Sequence, residues 1–563
     1  MMRFSEMKYE RPDLIAIGAE IEGLTERVRS ATSAGEQKEA FDRFEELSAH
    51  LSTLANLVYI RNSVNTKDEF YEKETEFLDE NLPILQEKTE AFYAALSDSL
   101  FRAELEKDLG GLFFTNLEIQ RRTFSPEIIG LLQEENKLTT EYQRLYASCV
   151  VDFDGKKLPI TKLGPYKMSS DRTVRHAAYE TEGACFDSHR AELDEIYDKL
   201  VHVRTEMAKK LGYENFIPLA YDRLGRNCYG AEEVKAFREQ IAREIVPIVR
   251  RVKEQQKERI GVDKLRFYDD IFVFPDGNPK PQGTSDEILA AGRQMYREMS
   301  PETAEFIDFM YDNELFDVLA KEGKAPGGYC TDLADYDAPF VFSNFNGTSA
   351  DVDVLTHEMG HAFAFYRAAK NGIMPEYRNP TYEACEVHSM SMEFLTSEHH
   401  GKFFGPETEK YEFSHCEDAL VFLPYGSMVD EFQHIVYENP DMKPEERNEA
   451  WANLEKKYRP YMDFDNLPFY SRGAGWQRQT HIYQNPFYYI DYCMAQTVAF
   501  QIWMKMLDNK EEAWKTYMKY TDKAGSMTFA ELVPYAGLDL PYAPGCVGKV
   551  AAKIAEWLEE HRI

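Results

Sequence analysis

The sequence has no run of 18 apolar residues, so no segment reads as a membrane-spanning helix. It also has no CxxC pair. Its eight cysteines, at positions 149, 185, 228, 330, 385, 416, 493 and 546, are scattered, a pattern that predicts free thiols packed as small hydrophobes and no disulfides. Positive charge is scarce: 98 Asp and Glu stand against 65 Lys and Arg, a formal net charge of −33. A field of that sign repels phosphate backbones and anionic lipid, so neither nucleic acid nor a membrane surface is an expected partner. Fixed-period repeats and low-complexity tracts are missing, which speaks against a regular solenoid. No apolar stretch or cleavage site follows the opening Met1-Met2-Arg3-Phe4-Ser5-Glu6, so a soluble, cytoplasmic protein is expected.

What is present supports a large core. Hydrophobic residues make up 43% of the 563 and aromatics 13%, enough for two or more domains or one body with an internal cleft. Residues 1–265 read almost wholly as helix, with apolar positions recurring at three- and four-residue steps, as from Phe77-Leu78 through Leu96. Ser125-Pro126 marks a break and a fresh helix start. Pro and Gly thicken between Phe274 and Ser285, where Ser285 suits a helix cap, and a division into a helical region 1–265 and a catalytic region 266–563 is expected there. The clearest strand signals follow in Gly323-Lys324-Ala325-Pro326-Gly327-Gly328-Tyr329-Cys330 and in Ala338-Pro339-Phe340-Val341-Phe342-Ser343-Asn344-Phe345 before Asn346-Gly347. Beyond them the helical pattern returns. The expected class is mainly α, with a small β-sheet beside the segment described next.

His357-Glu358-Met359-Gly360-His361 places two imidazoles four residues apart, one above the other on a single helical face. Thr348 or Ser349 suits the cap, Asp351 and Asp353 suit the positive end of the helix dipole, and Asn371-Gly372 suits the stop. Imidazole with carboxylate is a zinc ligand set, one ion per chain, and Glu358 beside the histidines is placed to act as general base on a metal-bound water. A catalytic zinc needs a third protein ligand. Ala364 and Arg367 occupy the positions where a metzincin carries Gly and His, so the ligand must come from further along the chain. Four glutamates compete: 383, 386, 393 and 398. Glu386, Ser389, Met390 and Glu393 share a helical face, and spacing favours Glu386 over Glu383 without deciding between them.

Thr356-His357-Glu358-Met359-Gly360-His361-Ala362-Phe363, with Glu386-Val387-His388-Ser389-Met390-Ser391-Met392-Glu393 starting 25 residues after the second histidine, resembles the thimet oligopeptidase and oligoendopeptidase F family of zinc peptidases. The resemblance extends over most of the chain and is strongest from about 325 to 500; bacterial oligoendopeptidases, including Pz-peptidases acting on collagen-like peptides, look nearest. It implies a large helical ellipsoid with a deep channel that admits short peptides, residues 1–265 forming one wall. It implies His357, His361 and Glu386 as zinc ligands and Glu358 as base. Asp353, one turn before His357, is expected either to orient that ring or to serve the helix dipole. The family also steadies the reacting carbonyl oxygen with a histidine and tyrosines, which carry over to His481, Tyr489 and Tyr492, with Tyr488 behind them; an aromatic core face is the alternative reading of this stretch. The edge of the strand 340–345 is expected to pair with the substrate backbone, and Gly327-Gly328 to allow a close approach. The reaction implied is cleavage of internal bonds in oligopeptides; the motif Gly-Ala-Met-Glu-Asn of one large aminopeptidase group is absent. Oligomeric state leaves no trace in the sequence.

Overall fold

The computed structural model describes residues 2–325 and 327–563, and Pro326 of the glycine-rich segment 323–330 lies outside them. Two compact units are each assembled from three chain segments: Met1–Arg121, Lys280–Pro406 and Lys505–Leu538 make the first, and Arg122–Pro279, Glu407–Met504 and Asp539–Ile563 the second. The units are interleaved along the chain, so position 265 falls inside the second. Helix dominates both, as the apolar periodicity implies. The strands are β1 (Val150–Phe153), β2 (Lys156–Pro159), β3 (Phe316–Leu319), β4 (Tyr329–Leu333) and β5 (Ala338–Phe345). Among the described residues no helix is long and apolar enough to cross a membrane.

In the first unit the amphipathic helices Leu14–Ser30, Ala34–Val64 and Glu69–Ser97 pack through Phe41, Phe44, Phe92 and Leu96, all essentially solvent-free. The rings of Phe44 and Phe92 stack at 4.1 Å. A three-stranded sheet in the order β3-β5-β4 lies in this unit, with β5 parallel to β3 and antiparallel to β4. Its core strand β5 is buried along almost its whole length, which explains its unbroken apolar character. Directly after it comes the helix Ala350–Lys370, which carries the HExxH motif. Ser349 stands at its N-cap position without a side-chain cap; instead Asp351 accepts hydrogen bonds from the Asn346 and Gly347 backbone N–H groups and ties the helix to the exit of β5. Near the Pro- and Gly-rich loop, Thr284 is the cap of the next helix and Ser285 its first residue, one position from expectation.

In the second unit, residues read as continuous helix contain the β1–β2 hairpin. Asp154 and Gly155 both take positive φ at its tip, 53° and 70°, the two-residue turn that Asp-Gly favours. Alternation flanking an Asp-Gly pair was the signal for it. The hairpin also accounts for a departure from the expectation of free thiols. It turns the chain back so that Cys149, which ends the helix Ile129–Ser148, and Cys185, in the helix Arg172–Ser188, lie with Cα atoms 6.1 Å apart and form a disulfide. A pairing across 36 residues has no spacing signature, because tertiary contact alone brings the thiols together. The other six cysteines form no disulfide among the described residues.

Candidate metal centre

Four-residue spacing on the helix Ala350–Lys370 stacks His357 and His361 with ring centroids 5.0 Å apart and planes at 82°. The third group comes from the helix Tyr382–Leu395, which lies against the first across Gly360. A Cβ at position 360 would sit 2.8 Å from the Ser389 Cα and 3.0 Å from the His388 carbonyl oxygen. Only glycine lets the two backbones approach this closely, and the approach is what delivers Glu386. Its Oε2 stands 3.4 Å from His357 Nε2 and 3.5 Å from His361 Nε2. Among the described residues, one group of three or more metal-ligating side chains converges, and it is His357, His361 and Glu386, with ligand atoms all within 4.8 Å of one another.

The supporting contacts orient each member. His357 Nδ1 meets Glu393 Oε1 at 2.7 Å, leaving Nε2 turned toward Glu386. Glu393 therefore holds the ring nitrogen that Asp353 was one candidate to hold. Ser389 Oγ donates to Glu386 Oε2 at 3.1 Å. Glu386 is buried, and burial alone would raise its carboxyl, but hydrogen bonds and charge from His357 and His361 hold it well below the usual carboxylate range. Burial disfavours the His357 imidazolium in turn, yet the hydrogen bonds to Glu386 and Glu393 outweigh it and hold the ring well above the ordinary value. An ionised carboxylate clasped by two imidazoles suits a borderline-soft divalent cation better than a hard one. The donor set thus fits zinc. Glu358 is half-buried between the two histidines in sequence; burial raises its carboxyl, with the imidazoles opposing.

The competing glutamates are accounted for. Glu383 is held at the start of its helix by the Thr381 hydroxyl, at 2.7 Å, and Glu398 pairs with Lys510. Cys330, on β4, has its thiol raised by burial and by the nearby carboxylates of Glu358 and Asp332. The strand edge differs from expectation. β5 is the central strand, pairing with β4 over Ala338–Phe342 and with β3 at Val341, Phe342 and Phe345, so the middle of 340–345 offers no edge. Val341 N donates to Leu315 O on the β3 side at 3.0 Å, so its antiparallel partner Cys330 turns its own N–H and C=O to the outer edge of β4.

The aromatic stretch carried over from the resemblance lies in the second unit. His481 sits on the short helix Thr480–Gln484, and its ring contacts Tyr488, Tyr489 and Tyr492 at centroid distances of 5.8, 5.0 and 6.2 Å. The structure thus brings His481 together with all three tyrosines. Burial keeps His481 neutral by lowering it and keeps Tyr489 protonated by raising it well above its ordinary value. The connection between His481 and Tyr489 is braced from both sides. Phe487 adopts a left-handed backbone (φ 68°), costly for a bulky side chain, with its N–H donating to Gln433 Oε1 at 2.9 Å and its carbonyl accepting from buried Arg226 at 2.6 Å. Arg204, fully buried, holds the Tyr483 carbonyl.

Comparison with known proteins is consistent with this geometry. The Peptidase M3 N-terminal domain model matches residues 4–124, and the Peptidase family M3 model matches residues 303–546, a span that contains every candidate site residue. The solved structure of Pz peptidase A with an inhibitor superposes with a TM-score of 0.93 at 48% identity, covering 99% of both chains. The chain belongs to peptidase family M3. Within that family its relatives are oligoendopeptidase F proteins: the chromosomal enzyme of Lactococcus lactis subsp. cremoris is 23% identical over 69% of this chain, and a homologue from Borreliella burgdorferi is 29% identical over 36%. These two matches span 64% and 35% of the relatives' own lengths.

Sequence reasoning missed Gly360, the roles of Glu393 and Ser389, and the bracing of 481–489. For Glu393 a signal existed, since it lies seven residues after Glu386 on the same face. For Arg226, Arg204 and Gln433 there was none.

Proposed function

We propose that this M3 family chain is a zinc-dependent endopeptidase that hydrolyses internal bonds of short oligopeptides. The observation that carries the reading is the convergence of His357, His361 and Glu386 within 4.8 Å, with Glu358 on the same helix as the two imidazoles. These three residues would hold the ion, which when bound supplies Lewis acidity and brings the pKa of a coordinated water to about 7. Glu358 accepts the proton of the attacking water and passes it to the leaving amine. Glu393 fixes the His357 ring and Ser389 fixes the Glu386 carboxylate, so neither ligand needs to reorganise. On the sequence resemblance, His481, Tyr489 and Tyr492 are included as the proposed donors of hydrogen bonds to the carbonyl oxygen as negative charge builds on it. The outer edge of β4 at Cys330 pairs with the substrate backbone, binding through main-chain groups that every peptide offers.

Proline-containing, collagen-derived peptides are included among the proposed substrates on the sequence resemblance alone. A cytoplasmic location is also part of the proposal; six cysteines outside any disulfide suit a reducing compartment, against which the Cys149–Cys185 bridge stands out. The test is digestion of a mixed library of peptides blocked at both ends, with and without chelator. Internal cuts that vanish with chelator and return with added zinc are expected. Absence of cuts in the blocked peptides, with trimming of unblocked ones, would show an exopeptidase instead.

A further inference from the structure

His481 is the one proposed donor whose chemistry depends on which of two nitrogens carries the proton. A neutral imidazole donates from one nitrogen and accepts at the other, and the partner of the first decides the role of the second. Here Nδ1 has a partner. Gln479 Nε2 lies 3.0 Å from it, and the Tyr425 hydroxyl donates to Gln479 Oε1 at 2.8 Å. Tyr425 belongs to the long helix Thr408–Glu438, and burial keeps its hydroxyl protonated, with Arg478 and Arg459 opposing. The Arg459 guanidinium lies 5.0 Å over its ring. Gln479 occupies the N-cap position of the short helix that carries His481, and its own N–H donates to Trp476 O at 2.9 Å. With Oε1 taken by a hydroxyl proton, the amide presents its N–H₂ to the imidazole.

We propose that Gln479, anchored by Tyr425, is a positioning residue that fixes His481 as the Nε2–H tautomer, so that its outward nitrogen is a hydrogen-bond donor. The inference rests on the reading of His481 as a donor to the substrate carbonyl oxygen. An acceptor at that nitrogen would repel the developing oxyanion. The rings of Tyr488, Tyr489 and Tyr492 surround the imidazole; on the Tyr425 side lie Arg478, Arg459 and the Glu455 carboxylate, which is engaged by Arg459 Nε at 2.8 Å, while the partner of Nδ1 is the Gln479 amide.

The substitution Gln479→Glu separates the possibilities. A carboxylate only accepts, so Nδ1 must carry the proton, and the ring pKa rises. Below that pKa the imidazolium still donates from Nε2; above it Nε2 is bare. The variant is therefore expected to lose kcat by about 10²-fold as pH rises through the imidazole pKa, the scale of removing one oxyanion donor, while the wild type shows no such loss and KM and zinc content stay constant. Nitrogen-15 spectra of histidine-labelled protein, assigned with His481→Phe, are expected to show Nε2–H in the wild type and Nδ1–H in Gln479→Glu at the alkaline end. Tyr425→Phe, a milder change, frees the amide to turn over and is expected to give a mixture of tautomers. A wild-type His481 in the Nδ1–H form, or a tautomer indifferent to both substitutions, overturns the proposal. If the tautomers behave as expected but His481→Phe keeps full kcat, control by Gln479 stands and the donor role fails.

Discussion

The two candidate regions are held in place by opposite means. In the first unit, His357, His361 and Glu386 sit on two regular helices, and the geometry follows from a four-residue step and one glycine contact. In the second, His481 and Tyr489 flank an irregular turn whose shape comes from distant side chains: Arg226 is 261 positions from Phe487, and Arg204 is 279 from Tyr483. Regular secondary structure positions a ligand set through local spacing, while a turn needs tethers from elsewhere in the chain. The first arrangement is legible in a short window of sequence. The second is not.

Three substitutions sharpen that contrast. Glu358→Gln leaves every contact of the helix pair in place and removes only the proton acceptor; kcat is expected to fall about 10² to 10⁴-fold with zinc content unchanged by mass spectrometry. Retained turnover would break the assignment of chemistry to the first region. Glu393→Gln keeps shape but weakens the hold on His357 Nδ1, and zinc affinity measured by competition with a chelator is expected to drop about 10 to 100-fold. An unchanged affinity would mean that helix geometry alone orients the ring. Gly360→Ala tests the helix contact itself. The added methyl meets backbone at 2.8 Å, so a loss of about 1–3 kcal/mol in thermal unfolding is expected, with weaker zinc binding as the helix bearing Glu386 is pushed away. A variant as stable as the wild type would show that the approach is softer than the spacing suggests.

The mainly helical class, the small sheet before the motif and the two histidines were all readable from periodicity and turn residues. Glu386 was favoured by face-sharing and singled out only by resemblance, because helical phase cannot tell which of several glutamates meets another helix. The strand 340–345 was recognised correctly as a strand, but its place at the centre of the sheet depends on β3 and β4 flanking it, information that lies in pairing and not in composition. The Cys149–Cys185 bridge was invisible for the same reason.

By itself, then, the sequence determined what repeats locally: the helices, the imidazole pair at one face and the Glu358 carboxylate between them, together with the acidic excess of the chain. The tertiary structure brought Glu386 to the two imidazoles, and it alone decided which carboxylate turns His357, which strand offers an edge, and which amide faces His481. Local steps of three, four or two residues are fixed by backbone geometry and leave a pattern in the chain. Contacts between residues hundreds of positions apart are fixed by packing, and a single sequence carries no periodic trace of them.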